Sequence, residues 1–211
     1  MADNLDAGSI ISFHDGKLAD PGWPGSALPE ATNDIWHWIE ANHRFNTLLW
    51  NEEDKARRTD VDASEIAASK RLIDQYNQRR NDAIEAIDEA ILTELDPFLS
   101  MRHSEARLNS ETAGAMIDRL SILCLKIFHM REQTLRVDAS AEHIATCTAK
   151  LNRLIEQRKD LGACFDGLIE DAREGRAYFK VYRQFKMYND PTLNPYLYAR
   201  PGASTQAGSA Q

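Results

Sequence analysis

No apolar run in the 211 residues approaches the roughly 20 needed to cross a bilayer, and the N-terminus lacks the basic-then-apolar pattern of a secretory signal. A soluble, cytoplasmic protein is expected. Cysteine is scarce: Cys124, Cys147 and Cys164 are odd in number and lack the paired spacing of a metal or redox motif, so reduced thiols are expected. Also missing are a GxSxG turn and a glycine loop able to cradle phosphates, which removes the hydrolase and P-loop classes. Basic residues are outnumbered, 25 Lys and Arg against 33 Asp and Glu, for a formal charge of −8. An acidic body of this kind argues against nucleic acid as a partner. One stretch reverses the sign: residues 173–186 hold Arg173, Arg176, Lys180, Arg183 and Lys186 against Glu174 alone.

What the chain has in quantity is helical periodicity. Ile66, Ile73, Tyr76, Ile84, Ile87 and Ile91 recur at the three-and-four spacing of one stripe, as do Ile144, Leu151, Leu154, Leu161, Phe165 and Ile169. Each stripe is interrupted by an arginine, Arg80 and Arg158. A guanidinium cannot shed its charge, so burying it requires carboxylate or phosphate partners.

The two arginines are 78 positions apart, and sliding residues 39–91 onto 117–169 without a gap gives ten identities, among them Ile39/Ile117, Arg80/Arg158, Asp88/Asp166 and Ile91/Ile169. Average composition gives roughly three or four by chance. Two copies of a hairpin too long for a solenoid repeat favour mutual packing into one four-helix bundle. Coincident heptad patterns remain the alternative.

Punctuation sets the boundaries. Residues 1–31, rich in Gly and Pro, predict an extended N-terminal arm with at most a short ordered piece around Ile10–Phe13. A single helical domain is expected over 32–190. Thr32 or Asn33 caps its first helix, Ser64 its second, Ser110 or Thr112 its third and Ser140 its fourth. Gly162 and Gly167 inside the fourth read as sites of close helix contact. A fifth helix is expected over about 175–188, then a tail over 191–211, disordered from about 199.

Three groups of residues could carry chemistry. On the first helix, Asn46, Trp50, Glu53, Asp54 and Arg57 share a polar and aromatic edge; Glu53 or Asp54 could turn inward to Arg80, or Glu53 and Arg57 could form a solvated pair four residues apart. On the third, Asp118, Arg119, Ser121, Lys126, His129, Glu132 and Gln133 occupy one arc; Lys126 and His129 could bind and protonate an anion, or the arc could face solvent. On the fifth, Arg173, Arg176, Lys180 and Arg183 form a stripe beside Tyr178, Tyr182 and Phe185, an arrangement able to hold a phosphate and stack on a ring, or simply to cover acidic neighbours. Glu40 and His43 make one Glu-x-x-His, but the equivalent positions Asp118 and Ser121 supply no second histidine, so no metal or cofactor is expected.

Four strings resemble a bacterial family catalogued as domain-of-unknown-function family 4254: Phe13-His14-Asp15, the NTLLWNEEDKARR run from Asn46, the ETAGAMIDRLSILCLKIFHM run from Glu111, and YFKVYRQFKMYNDPTLNP from Tyr178. The resemblance covers nearly the whole chain. It departs at Asn51, where the family often has a histidine after the tryptophan. It implies a setting beside glycosyltransferases of surface-polysaccharide or lipopolysaccharide synthesis and marks Asn46, Trp50, Glu53, Asp54, Arg57, Asp118, Arg119, Ser121, Lys126, His129, Arg183, Lys186, Asn189 and Asp190.

The expectation is therefore an all-α protein: a four-helix bundle from a duplicated hairpin, with an N-terminal arm and a fifth helix. The expected ligand is an anionic sugar or nucleotide-sugar. Glu53, Asp54 and His129 would handle protons, and Asn46, Trp50, Arg57, Arg80, Asp118, Arg119, Lys126, Arg158, Tyr182, Arg183 and Lys186 would bind. Two rivals are a non-catalytic adaptor that docks a glycosyltransferase through the fifth helix and the polar edges, and a chorismate-mutase-like enzyme that holds a dicarboxylate on its buried arginines.

Overall fold

The computed structural model describes residues 5–25, 34–183 and 190–198. These are mostly helical: α1 (Ala7–Leu18), α2 (Ile35–Lys55), α3 (Ala63–Leu95), a 3-10 segment (Asp96–Met101), β1 (Arg107–Asn109), α4 (Ala113–Thr134), α5 (Ala141–Arg173), β2 (Ala177–Phe179) and the four-residue α6 (Pro195–Tyr198). The chain divides into a main unit, Met1–Val181, and a small C-terminal one, Tyr182–Gln211. In the latter, Asp190 holds a turn by accepting from Thr192 N (2.7 Å) and Thr192 Oγ1 (2.6 Å).

In the main unit α2 packs chiefly on α3 and α4 chiefly on α5, while α4 also touches α1, α2 and α3. The core they enclose is built from the aliphatic stripes: Ile39, Ile87, Ile91, Ile117, Leu120, Phe165 and Ile169 are all buried. Thr112 accepts from Ala115 N (3.2 Å) and Ser140 from His143 N (3.2 Å), closing the N-termini of α4 and α5 as expected. α2 is capped by Asp34 and α3 starts after Asp62, two residues earlier than Ser64; Thr32 and Asn33 lie outside the described residues.

Gly114 lets α4 cross α3 closely. Its amide donates to Asp88 Oδ1 (2.6 Å), and a Cβ there would sit 2.6 Å from the Ile84 carbonyl oxygen. Gly162 does the same for α1 against α5, with a Cβ position 3.1 Å from Ala7 Cβ. Gly167 does not, since a Cβ there would meet nothing within 4 Å.

Two sequence expectations need correction. The arm is not extended across 7–18 but helical: Asp6 accepts from Ser9 N (2.9 Å) and Ser9 Oγ (2.7 Å), and Ala7, Ile10 and His14 form the buried face. Burial of that face outweighs the cost of Gly8 and Gly16. The fifth helix is absent over 175–183. Gly175, at φ +71°, ends α5, and Arg107 N donates to Arg176 O (2.8 Å) as β2 pairs in parallel with β1. The aromatic stripe dissolves with it, Phe179 going into the core and Tyr178 under the Arg102 guanidinium, 3.7 Å away. Arg176 turns back onto Asp171 (2.7 Å) and Glu174. Phe185, Lys186 and Asn189 fall outside the described residues, as does the tail from residue 199.

Candidate functional site

At the centre of the main unit, polar side chains replace the aliphatic stripe. Asn42 and Asn46, one turn apart on α2, both donate to Asp118 Oδ1 of α4, at 2.8 and 2.9 Å. Asn46 also donates to Ser121 Oγ (3.0 Å), which lies 2.8 Å from His43 Nδ1. Stacked on His43 at 4.3 Å is His14 of α1, fully buried, with neither ring nitrogen partnered among the described residues. Burial holds the His14 imidazole well below its ordinary range, reinforced by His43 and Arg158. Burial likewise pushes His43 down to about 3 against a hydrogen bond to the His14 backbone, with Lys17 adding to the fall. Both rings are neutral at pH 7. This sealed network ties α1, α2 and α4 together.

The two stripe-breaking arginines border the network separately. Arg80 Nε lies 3.9 Å from Asp118 Oδ1. Arg158 Nη1 donates to both carboxylate oxygens of Asp15 (2.8 and 2.9 Å) and sits 3.3 Å from Cys124 Sγ. Burial opposes its charge, but Cys124 and Asp15 together raise its pKa further. Of the carboxylates expected to turn toward Arg80, Glu53 pairs instead with Arg57 (3.1 Å), and Asp54 makes no ion pair with it among the described residues. Arg158 therefore clamps the N-terminal helix and shares no site with Arg80. Glu40 is bound by Lys17 (3.0 Å) and Arg44 (3.3 Å), away from the Ser121 contact of His43, so Glu-x-x-His forms no ligand pair.

Outside the sealed network lies an open groove between α2, α4 and α5, of about 610 Å³, lined by Trp50, Asp54, Lys126, His129, Met130, Gln133, Lys150, Arg153, Leu154 and Gln157. Trp50 stacks on His129 at 4.6 Å and an interplanar angle of 11°. His129 Nδ1 is 2.9 Å from Glu132 Oε2; a carboxylate only accepts, so Nδ1 carries the proton and Nε2 is left for other work. Among the described residues, Lys126, Lys150 and Arg153 have no acidic group within 4.0 Å.

Trp50 and Asp54 also wall a second chamber of about 400 Å³ between α2, α3 and α4, completed by Asn46, Leu49, Glu53, Arg57, Arg80, Ile122 and Leu125. Farther along α4, Lys126 and Arg119 border a third, where Glu111 chelates Arg119 at 2.8 and 2.7 Å.

Of the residues singled out by sequence, Asn46, Trp50, Glu53, Asp54, Arg57, Arg80, Lys126 and His129 thus meet around two adjoining chambers, with Asp118 behind Asn46. Arg158 stands apart; Tyr182 and Arg183 belong to the C-terminal unit. Sequence reasoning missed Lys150, Arg153 and Gln157. Their signal was present as a polar stripe at three-and-four spacing, running beside the Leu151, Leu154, Arg158 stripe of α5.

Fold and site together define a helical protein with an open, cation-bordered groove beside a sealed polar centre. The chain belongs to the family described as "Protein of unknown function (DUF4254)", whose model matches residues 36–181. No curated protein and no solved structure matches it. Among the described residues, no helix is long and apolar enough to cross a membrane, and no group of three or more His, Cys, Asp or Glu could hold a metal ion.

Proposed function

We propose that this protein binds an anionic, phosphorylated sugar or nucleotide-sugar in the groove between α2, α4 and α5, in the service of cell-surface polysaccharide or lipopolysaccharide synthesis. The observation that carries the reading is the convergence of Lys126, Lys150 and Arg153, without acidic partners among the described residues, on the Trp50–His129 stack. A phosphate supplies the missing counter-charge, and the indole face suits a flat or apolar ring surface. Glu132 orients His129 so that Nε2 can give or take a proton, making His129 the group on which any reaction here would turn. In the same reading α2–α5 are a four-helix bundle of two duplicated hairpins. His43 and Ser121, equivalent positions 78 residues apart that touch each other, support it.

The docking alternative loses part of the helix it invoked, since 175–183 is strand and coil, and then rests on the polar edges of α2 and α4. The chorismate-mutase-like alternative needs Arg80 and Arg158 in one site, and they hold different carboxylates.

Titration calorimetry with inorganic pyrophosphate tests the reading. Wild type should bind at low ionic strength, and Lys150→Gln with Arg153→Gln should weaken binding at least about tenfold. Equal affinity in both proteins, or no binding, would overturn it.

A further inference from the structure

The chamber behind Trp50 differs from the groove in its charge balance. The groove sets three cations against the single carboxylate of Asp54. The chamber sets Arg57 and Arg80 against Glu53 and Asp54, and so is balanced. A second phosphate would gain little there, because each cation already has a carboxylate in the same small space.

Asp54 has no side-chain hydrogen bond or ion pair among the described residues, and it lines both chambers. Arg80 turns Nε toward Asp118 at 3.9 Å, beyond hydrogen-bond distance, gives Nη2 to Asn81 Oδ1 (3.5 Å), and lines the chamber while keeping 27% of its side chain exposed. An accepting carboxylate on α2 and a donating guanidinium on α3, lining one chamber, suit a ligand that both donates and accepts. Among neutral groups a hydroxyl does this, giving its proton to the carboxylate and its lone pair to the N–H. The apolar part of the lining is Trp50, Leu49, Ile122 and Leu125, which suits the C–H face of a saturated ring, and Asn46, Glu53 and Arg57 add polar groups around it. Trp50 and Asp54, four residues apart on one face of α2, form the ridge between the chambers, so a single molecule can straddle it.

We infer that the two chambers are subsites of one ligand, a sugar phosphate: the phosphate among Lys126, Lys150 and Arg153, and the polyhydroxyl ring against Trp50 in the second chamber, with ring hydroxyls donating to Asp54 and accepting from Arg80. This rests on the phosphate-binding reading above.

The two can fail separately. Calorimetry with inorganic phosphate and with the 1-phosphates of glucose, galactose, mannose and N-acetylglucosamine compares the charged half with the whole. At least one sugar phosphate should bind about tenfold or more tighter than inorganic phosphate. Arg80→Met and, separately, Asp54→Asn should each bring that sugar phosphate down to the variant's own affinity for inorganic phosphate, which Asp54→Asn also shifts because Asp54 lines the groove. Asp54 is exposed, so its variant keeps the test valid if Arg80→Met does not fold. If inorganic phosphate binds and no sugar 1-phosphate improves on it, the second subsite is wrong and the phosphate site stands. If the ring adds affinity that survives both substitutions, the ring lies elsewhere. If neither class binds, both readings fall.

Discussion

A thiol is only as reactive as its thiolate is accessible, and the three cysteines separate cleanly on that basis. Cys124 is buried and its thiol is pushed up to about 12, first by burial and then by Asp15, against the pull of Arg158. Cys147 is buried beside His143 Nε2 (3.4 Å), while Cys164 is exposed on a wall of the third chamber. Ellman's reagent at pH 8 should therefore titrate one thiol quickly in the native protein and three in denaturant, and Cys164→Ser should remove the fast one. A fast native thiol that survives Cys164→Ser and vanishes in Cys124→Ser would contradict the packing around Arg158. The arginines show what a single residue can reveal in sequence. An interrupted stripe marked Arg80 and Arg158 as charges needing carboxylates, and both sit beside one. Which carboxylate was illegible: Asp15 lies 143 positions from Arg158 on a helix the pattern did not announce, and helical periodicity relates only near neighbours.

Elements were legible where apolar spacing and caps agreed, as at Thr112 and Ser140, and illegible where long-range contacts decided. α1 is a short helix whose few apolar residues acquire value only against α4 and α5, and residues 177–179 are a strand because β1 offers a backbone to pair with. Glycines within helices show the same dependence on context. Both Gly162 and Gly167 suggested close packing, yet only Gly162 has a neighbour within reach, and the tightest crossing is at Gly114. Gly114→Ala should lower unfolding free energy by about 1–3 kcal/mol, because Ile84 backbone and the Asp88 carboxylate cannot both withdraw. Gly167→Ala should raise it by up to about 1 kcal/mol through helix propensity alone. Urea titrations of the two variants measure the contrast, and a neutral Gly114→Ala would mean that α3 and α4 do not cross there.

Across the whole main unit, α1 is fastened at several independent points: Ala7 N on Asp166 (2.8 Å), Asp15 on Arg158, Lys17 on Glu40, and His14 stacked on His43. The histidine pair makes this fastening depend on pH. Each ring has a folded pKa below the ordinary value of 6.5, so below pH 6.5 the unfolded chain binds protons that the folded chain refuses. Stability from these groups is fully present above pH 6.5 and declines as pH falls, for His43 until about 3. Lys17 and Arg158 face the pair and oppose its protonation; Asp15, Glu40 and Asp118 are already committed to Arg158, Lys17 and the two asparagines, and cannot offset it. Between pH 6 and 5 the unfolding free energy should therefore drop with a slope approaching about 1.4 kcal/mol per pH unit for each histidine. His14→Leu removes one of the two protons, and the slope over that interval should shallow by about one proton's worth relative to wild type. Parallel slopes for the two proteins would show that His14 is not held neutral, and that α1 leaves the core open to water at that point.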